Sequence, residues 1–154
     1  MTDTRVPTRD AAPRARRWAL ALDGVTAVGA VAGVQGFLSG QFDPLVAQLT
    51  FVDGPAVPAL ALGLCVGLPQ AVALTLGLIR HPRASEAALG AGVVLTGWVL
   101  AQLALIGWTS PVQWTFFAVG VGESAAALVW WRAERTRRRG PACPAGSRAR
   151  PARR

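Results

Sequence analysis

Four long apolar runs divide this chain: Trp18–Ser39, Ala56–Ile79, Ala87–Gly107 and Val112–Trp131. Each has about 20 residues or slightly more. At 1.5 Å per helical residue that is enough to cross a hydrocarbon layer of roughly 30 Å. The pattern predicts an all-α fold: a four-helix transmembrane bundle with antiparallel, up-and-down connections. The stretch between the runs at Arg80–Glu86 and the turn Trp108-Thr109-Ser110-Pro111 are short, so spans two, three and four must be neighbours. Proline removes a backbone donor and crowds the preceding turn, so Pro69 inside the second run predicts a kink.

The segments between the runs predict the remaining organisation. Residues 1–17 are polar, rich in Arg and Pro and without hydrophobic periodicity, which predicts a disordered arm. Residues 18–131 form the membrane domain, and 132–154 form a basic tail that extends the last helix for about two turns before losing order. In the loop at 40–55, Asp43-Pro44 is a good helix start, with Asp43 as N-cap and Pro44 at the first helical position. The short helix that follows lies in the interface, being too short to span. Ser85 is the N-cap candidate for the third span. A secretory signal peptide competes for the first run. The run is longer than a usual signal core of 7–15 residues, and Asp23 interrupts it early.

Charge changes the picture by its placement. All sixteen basic residues are Arg and the formal net charge is +8. Five Arg precede residue 18, two are Arg80 and Arg83, and nine lie at or beyond Arg132. The loop at 40–55 is negative, carrying Asp43 and Asp53, and the turn at 108–111 is neutral. Every flank then satisfies the positive-inside rule with both termini in the cytoplasm and the protein in the inner (plasma) membrane. Trp18, Trp130 and Trp131 fall at the cytoplasmic interface and Trp108 and Trp114 at the outer one, with Trp98 left near mid-span. The basic tail fits anionic lipid head groups, not nucleic acid. Cys65, inside a span, and Cys143, in the tail, are far apart and outside any CxxC spacing, so neither a disulfide nor a metal site is expected.

Intramembrane polar residues are the candidate sites: Asp23, Gln35, Gln70, Gln102 and Glu123. A charged carboxylate at the bilayer centre costs roughly 2.5–3.5 kcal/mol or more, so such residues should turn into the bundle and find partners. By helical rise Asp23 lies about 8 Å from the cytoplasmic edge, and Gln70 and Glu123 about 13 Å. The sequence therefore predicts an inner tier of Asp23, Gln70 and Glu123 and an outer tier of Gln35 and Gln102. For the glutamines the plain role is helix–helix glue, and for Asp23 a carboxylate snorkelling to the interface. For Glu123 a protonated structural acid paired with Gln70 competes with a site for a cation, a proton or a polar head group. Small-xxx-small pairs at Gly29/Gly33, Gly36/Gly40 and Gly63/Gly67 let helices approach closely. They serve packing within one chain or, on the first span, a homo-oligomer face.

Catalytic chemistry has no support. The sole histidine, His81, sits in a basic turn without a ligand set, and no GxSxG, HExxH or phosphate-binding glycine loop occurs. No cofactor is implied. The expectation is a non-enzymatic structural or accessory membrane component, embedded in the lipid bilayer. The alternative is an oligomeric small-molecule or cation-coupled transporter using Glu123 and Asp23.

The segment Trp98-Val99-Leu100-Ala101-Gln102-Leu103-Ala104-Leu105-Ile106-Gly107, followed by Ser110-Pro111-Val112-Gln113, resembles a W-x-x-x-Q-x-x-x-I-G-x-x-S-x-x-Q pattern. Uncharacterised small four-span integral membrane proteins of high-GC bacteria carry that pattern and tend to show an acid-Gly pair in the first span, here Asp23-Gly24. The resemblance covers roughly residues 18–131. A broader similarity is to DoxX-like four-helix membrane proteins. Both imply the four-span architecture and no particular chemistry. Small multidrug transporters also combine four spans with a membrane glutamate, but theirs is in the first span and this one in the fourth.

Overall fold

The computed structural model describes residues 11–47, 54–107 and 111–139. These form α1 (Ala11–Leu38), a short α2 (Asp43–Val46), α3 (Ala56–Leu62), a π-helical turn (Gly63–Gly67), α4 (Leu68–Leu78), α5 (Ala84–Ile106) and α6 (Pro111–Arg138). No strand occurs among the described residues. α3, the π turn and α4 are continuous, so the chain has four helical rods long and apolar enough to cross a membrane. The fold is an all-α four-helix bundle.

Several boundaries differ from the sequence reading, each for a local reason. α1 begins at Ala11, so residues 11–17 are helical and only 1–10 of the expected arm lie outside the described residues. Ala-rich sequence favours that extension, and Arg16 anchors it by donating from Nη2 to the carbonyl of Gly77 at 2.8 Å. Asp43 is the first helical residue of α2 and not its cap. Phe42 occupies the N-cap position, without a side-chain cap. Ser85 is not a cap either: Arg83 precedes the helix, and Ser85 is buried in its first turn. Its hydroxyl donates to Glu134 Oε2 at 2.7 Å instead.

The π turn ends two residues before Pro69. An α-helix would have residue 69 donate to the carbonyl of Cys65, and proline has no N–H to give. Widening one turn is a common way to absorb such a break. Cys65 is exposed on this turn.

The rods pack as a ring. α5 with α6 is the most extensive contact, α1 against the whole second rod is nearly as extensive, and the second rod with α5 and α1 with α6 follow. The second and fourth rods thus face each other across a diagonal. The expected adjacency of spans two and three, and of three and four, is present. The fourth rod also adjoins the first.

Glycines set the spacing. A Cβ on Gly92 would lie 2.8 Å from the backbone nitrogen of Ser124, and one on Gly120 would lie 3.0 Å from that of Thr96. α5 and α6 therefore meet nearly backbone to backbone, as small residues permit in membranes. Of the pairs read from sequence, Gly29 packs on Phe116, Gly33 on Leu62, Gly63 near Val34, Gly67 on Ala30, and Gly36 on Phe42.

The buried interior is thin and layered. At the Arg-rich end, Ala19, Ala73, Ala84, Ala88, Ala91 and Ala127 pack with Trp130. Toward the other end, Ala30, Val66, Leu95 and Val99 pack with Leu62, Trp98 and Phe116. Outside, large apolar side chains are exposed on every rod, among them Val28 (71%), Leu60 (63%), Leu100 (51%) and Val129 (45%). Water does not tolerate a continuous apolar exterior of this kind, whereas hydrocarbon does.

Candidate functional site

Between the alanine layer and the Leu/Val layer lies a polar centre. Asp23 from α1, Gln70 from α4 and Glu123 from α6 are all fully buried. Helical phase puts them there. Ala19, Asp23, Thr26 and Ala30 follow one face of α1 at steps of four, three and four. Gln70, Ala73 and Gly77 form the buried face of α4, and Gly120, Glu123, Ala127 and Trp130 that of α6. These are the steps at which helical side chains stack on one face.

Gln70 donates from Nε2 to Glu123 Oε2 at 3.0 Å, bridging the bundle's diagonal. The sequence reading pairs a protonated Glu123 with Gln70. Here the amide donates, and its own Oε1 has no partner. The Asp23 carboxyl is Glu123's other polar neighbour. Neither Asp23 oxygen meets a donor, and Glu123 Oε1 meets none. Two ionised carboxylates offer only acceptors, so Asp23 and Glu123 bond to each other only when one carries a proton. The hydroxyl of Thr26, one turn further along α1, is also buried without a partner.

The three residues of the expected inner tier therefore come together. Asp23 does not snorkel to the interface but turns inward to Glu123. The expected outer tier does not form. Gln35 is exposed, because it lies two residues beyond cavity-lining Gly33, roughly 200° around the helix. Gln102 continues the Leu95–Val99 face of α5 and lines a cavity.

That cavity occupies the half of the bundle away from the Arg-rich end and holds about 610 Å³. Thr26 forms its inner wall nearest the polar centre. Leu62, Val66, Phe116 and Trp98 supply apolar walls, and Phe42, Pro44 and Leu45 around α2 close one side. The Trp98 Nε1 proton is buried with no acceptor. Sequence reasoning marked Trp98 as out of place at mid-span but did not connect it to a cavity, and it missed Thr26. The available signal was spacing: Thr26 follows Asp23 by three residues, and Gln102 follows Trp98 by four.

A second polar cluster ties the Arg-rich ends of α5 and α6. Glu134 accepts from Ser85 Oγ at 2.7 Å and from Trp130 Nε1 at 2.8 Å. Arg135 stacks 3.7 Å over Trp131, and Arg138 donates to the carbonyl of Pro82 at 3.2 Å. Among the described residues no group of three or more His, Cys, Asp or Glu could hold a metal ion. Comparison with known proteins finds no matching family model, no matching curated protein and no matching solved structure.

Proposed function

We propose that this chain is a non-enzymatic multi-pass protein of the plasma membrane whose buried carboxyl pair, Asp23 and Glu123, holds an exchangeable proton or a small cation. Its Arg-rich end faces the cytoplasm, following the placement of the basic flanks.

One observation carries the reading: Asp23 is fully buried, both its oxygens lack a donor, and its neighbour is a second carboxyl. A structural acid needs no such arrangement. Gln70 alone would satisfy a lone Glu123, which is the glue role expected of an accessory protein. Two carboxyls side by side in hydrocarbon cannot both stay ionised without a counter-charge. Among the described residues, α4 presents Gln70 to the centre and α5 presents Ala91 and Leu95, none of them basic. The counter-charge must therefore be a proton or a mobile cation. That supports the carrier reading over the purely structural one.

Infrared spectroscopy of protein in lipid vesicles tests this. Wild type should show a protonated-carboxyl band that shifts in deuterium oxide and changes with pH or added Na⁺. Glu123→Gln and Asp23→Asn should each abolish that response while keeping helix content. A wild-type spectrum with neither such a band nor a carboxylate band that responds to Na⁺, or one unchanged in both variants, would overturn the proposal. Orientation has its own test: reporter fusions after Arg83 and Trp131 should score cytoplasmic and one at Asp53 external.

A further inference from the structure

We infer that the polar pocket between the start of α5 and the end of α6 binds the phosphodiester of an anionic phospholipid head group, such as phosphatidylglycerol. This does not depend on the carboxyl pair. It gives the general attraction of a basic flank for anionic lipid a defined place, shared by two rods.

The pocket holds about 410 Å³ at the Arg-rich end. Three guanidiniums line it: Arg83, from the turn before α5, and Arg135 and Arg138, three residues apart on one face of α6. All three residues are exposed, so their donors are open to a ligand. Two are already positioned. Arg135 lies 3.7 Å over the Trp131 ring, and stacking uses the guanidinium's face while leaving its edge N–H groups free. Arg138 gives an N–H to the Pro82 carbonyl at 3.2 Å and keeps its other donors. Among the described residues none of the three pairs with a carboxylate.

The carboxylates at the pocket do not take the guanidiniums. Glu134 spends both oxygens, accepting from Ser85 at 2.7 Å and from Trp130 at 2.8 Å. Glu86 sits in the first turn of α5, where the helix's own N–H groups favour a negative charge. Three guanidiniums against these two carboxylates leave one net positive charge. That matches a singly charged phosphodiester, whose oxygens suit the forked donors of arginine. A polyphosphate or a nucleic acid brings more charge than the pocket neutralises.

Place favours a lipid over free phosphate. Val129, 45% exposed, lies on α6 two residues before Trp131, and Trp131 and Pro82 form the apolar part of the pocket wall. The pocket therefore starts where exposed apolar surface gives way to Arg, the level of head groups in a bilayer. A lipid held there puts its phosphate among the guanidiniums and its chains along α6. Inorganic phosphate gains only the first contact.

The probe is tritiated phosphatidylglycerol, read by scintillation proximity on the immobilised full chain in mild detergent. Unlabelled phosphatidylglycerol should compete about tenfold better than phosphatidylcholine of the same chains, whose choline brings a positive charge to the guanidiniums. Arg135→Gln and Arg138→Gln should each weaken binding by about tenfold, the loss of a charge-assisted hydrogen bond. Arg132→Gln and Arg137→Gln remove the same charge outside the pocket lining and should have several-fold smaller effects. Inorganic phosphate at the lipid's concentration should not displace it. Equal losses in all four variants would assign the binding to diffuse charge and overturn the inference. Equal competition by phosphatidylcholine would also overturn it, as would displacement by inorganic phosphate, which would mark a free-phosphate site. The two wild-type competitions decide even if a variant fails to fold.

Discussion

Gly92→Ala should destabilise the bundle far more than the same change at Gly97, although both lie on α5 and differ by little more than one turn. At Gly97 an added methyl meets nothing within 4 Å. The substitution there gains helix propensity, up to about 1 kcal/mol. At Gly92 the methyl would sit 2.7 Å from Ser124 Oγ, 2.8 Å from Ser124 N and 3.2 Å from the carbonyl oxygen of Gly120. The hydroxyl can rotate away. The nitrogen and carbonyl belong to α6 itself, so reaching an ordinary contact of 3.4 Å requires the helices to part by several tenths of an ångström. That opens the largest interface of the fold, and overpacking of this kind costs about 1–3 kcal/mol. The two variants should then differ by roughly that amount in detergent unfolding followed by circular dichroism, with Gly90→Ala behaving like Gly97→Ala. Adding Ser124→Ala to Gly92→Ala should recover little, since the backbone contacts remain. Equal midpoints for Gly92→Ala and Gly97→Ala, or full recovery in the double variant, would refute the backbone-contact argument.

Other predictions follow from the polar contacts. Gln70→Leu removes the donor to Glu123 Oε2 and should lower stability by about 1 kcal/mol in the same unfolding assay. Glu134→Ala deprives Ser85 and Trp130 of their shared acceptor and should cost about 1–3 kcal/mol, detected also as a change in Trp130 emission. Arg16→Ala loses the bond to the Gly77 carbonyl and should cost about 0.5–1.5 kcal/mol, read as faster amide exchange at the α1 start and α4 end. In a Cys143→Ser background, exposed Cys65 should react in native membranes with a lipid-soluble maleimide and not with a sulfonated, impermeant one. Labelling by the sulfonated reagent would place the π turn outside hydrocarbon.

The four rods were legible because membrane spans write themselves as unbroken apolar length, a signal that needs no partner to interpret. The meeting of Asp23, Gln70 and Glu123 was legible for a related reason. Helical rise converts residue number into depth, and three polar groups at similar depth in a thin bundle have few directions to face. Depth is not azimuth, and there the reading failed. Gln35 shares a level with Gln102, but only Gln102 is in phase with its helix's buried face. The caps failed for another reason. Asp43 and Ser85 have good capping chemistry locally, yet Glu134, 49 residues beyond Ser85, claims its hydroxyl. Long-range pairs of that sort leave no local trace.

The sequence of layers along the axis explains why one small bundle can carry both a polar centre and a cavity. Below the centre, alanines let the rods approach closely, and Trp130 plugs what remains. Gly92 and Gly120 continue that close approach on α5 and α6. Past this point the buried faces change from alanine to Leu62, Val66, Leu95 and Phe116. The π turn falls on the second rod just there. The cavity opens beyond this point, with Thr26 bordering it and Asp23 one helical turn deeper. Tight packing on one side fixes the carboxyls against each other, and looser packing on the other leaves room beside them. Replacing Ala88 or Ala91 by leucine would spread the closed half, and it should loosen the Gln70–Glu123 bond before it alters the cavity. Slower amide exchange at the cavity walls than at residues 84–92 in such a variant would bear that order out, and the reverse ranking would sink it.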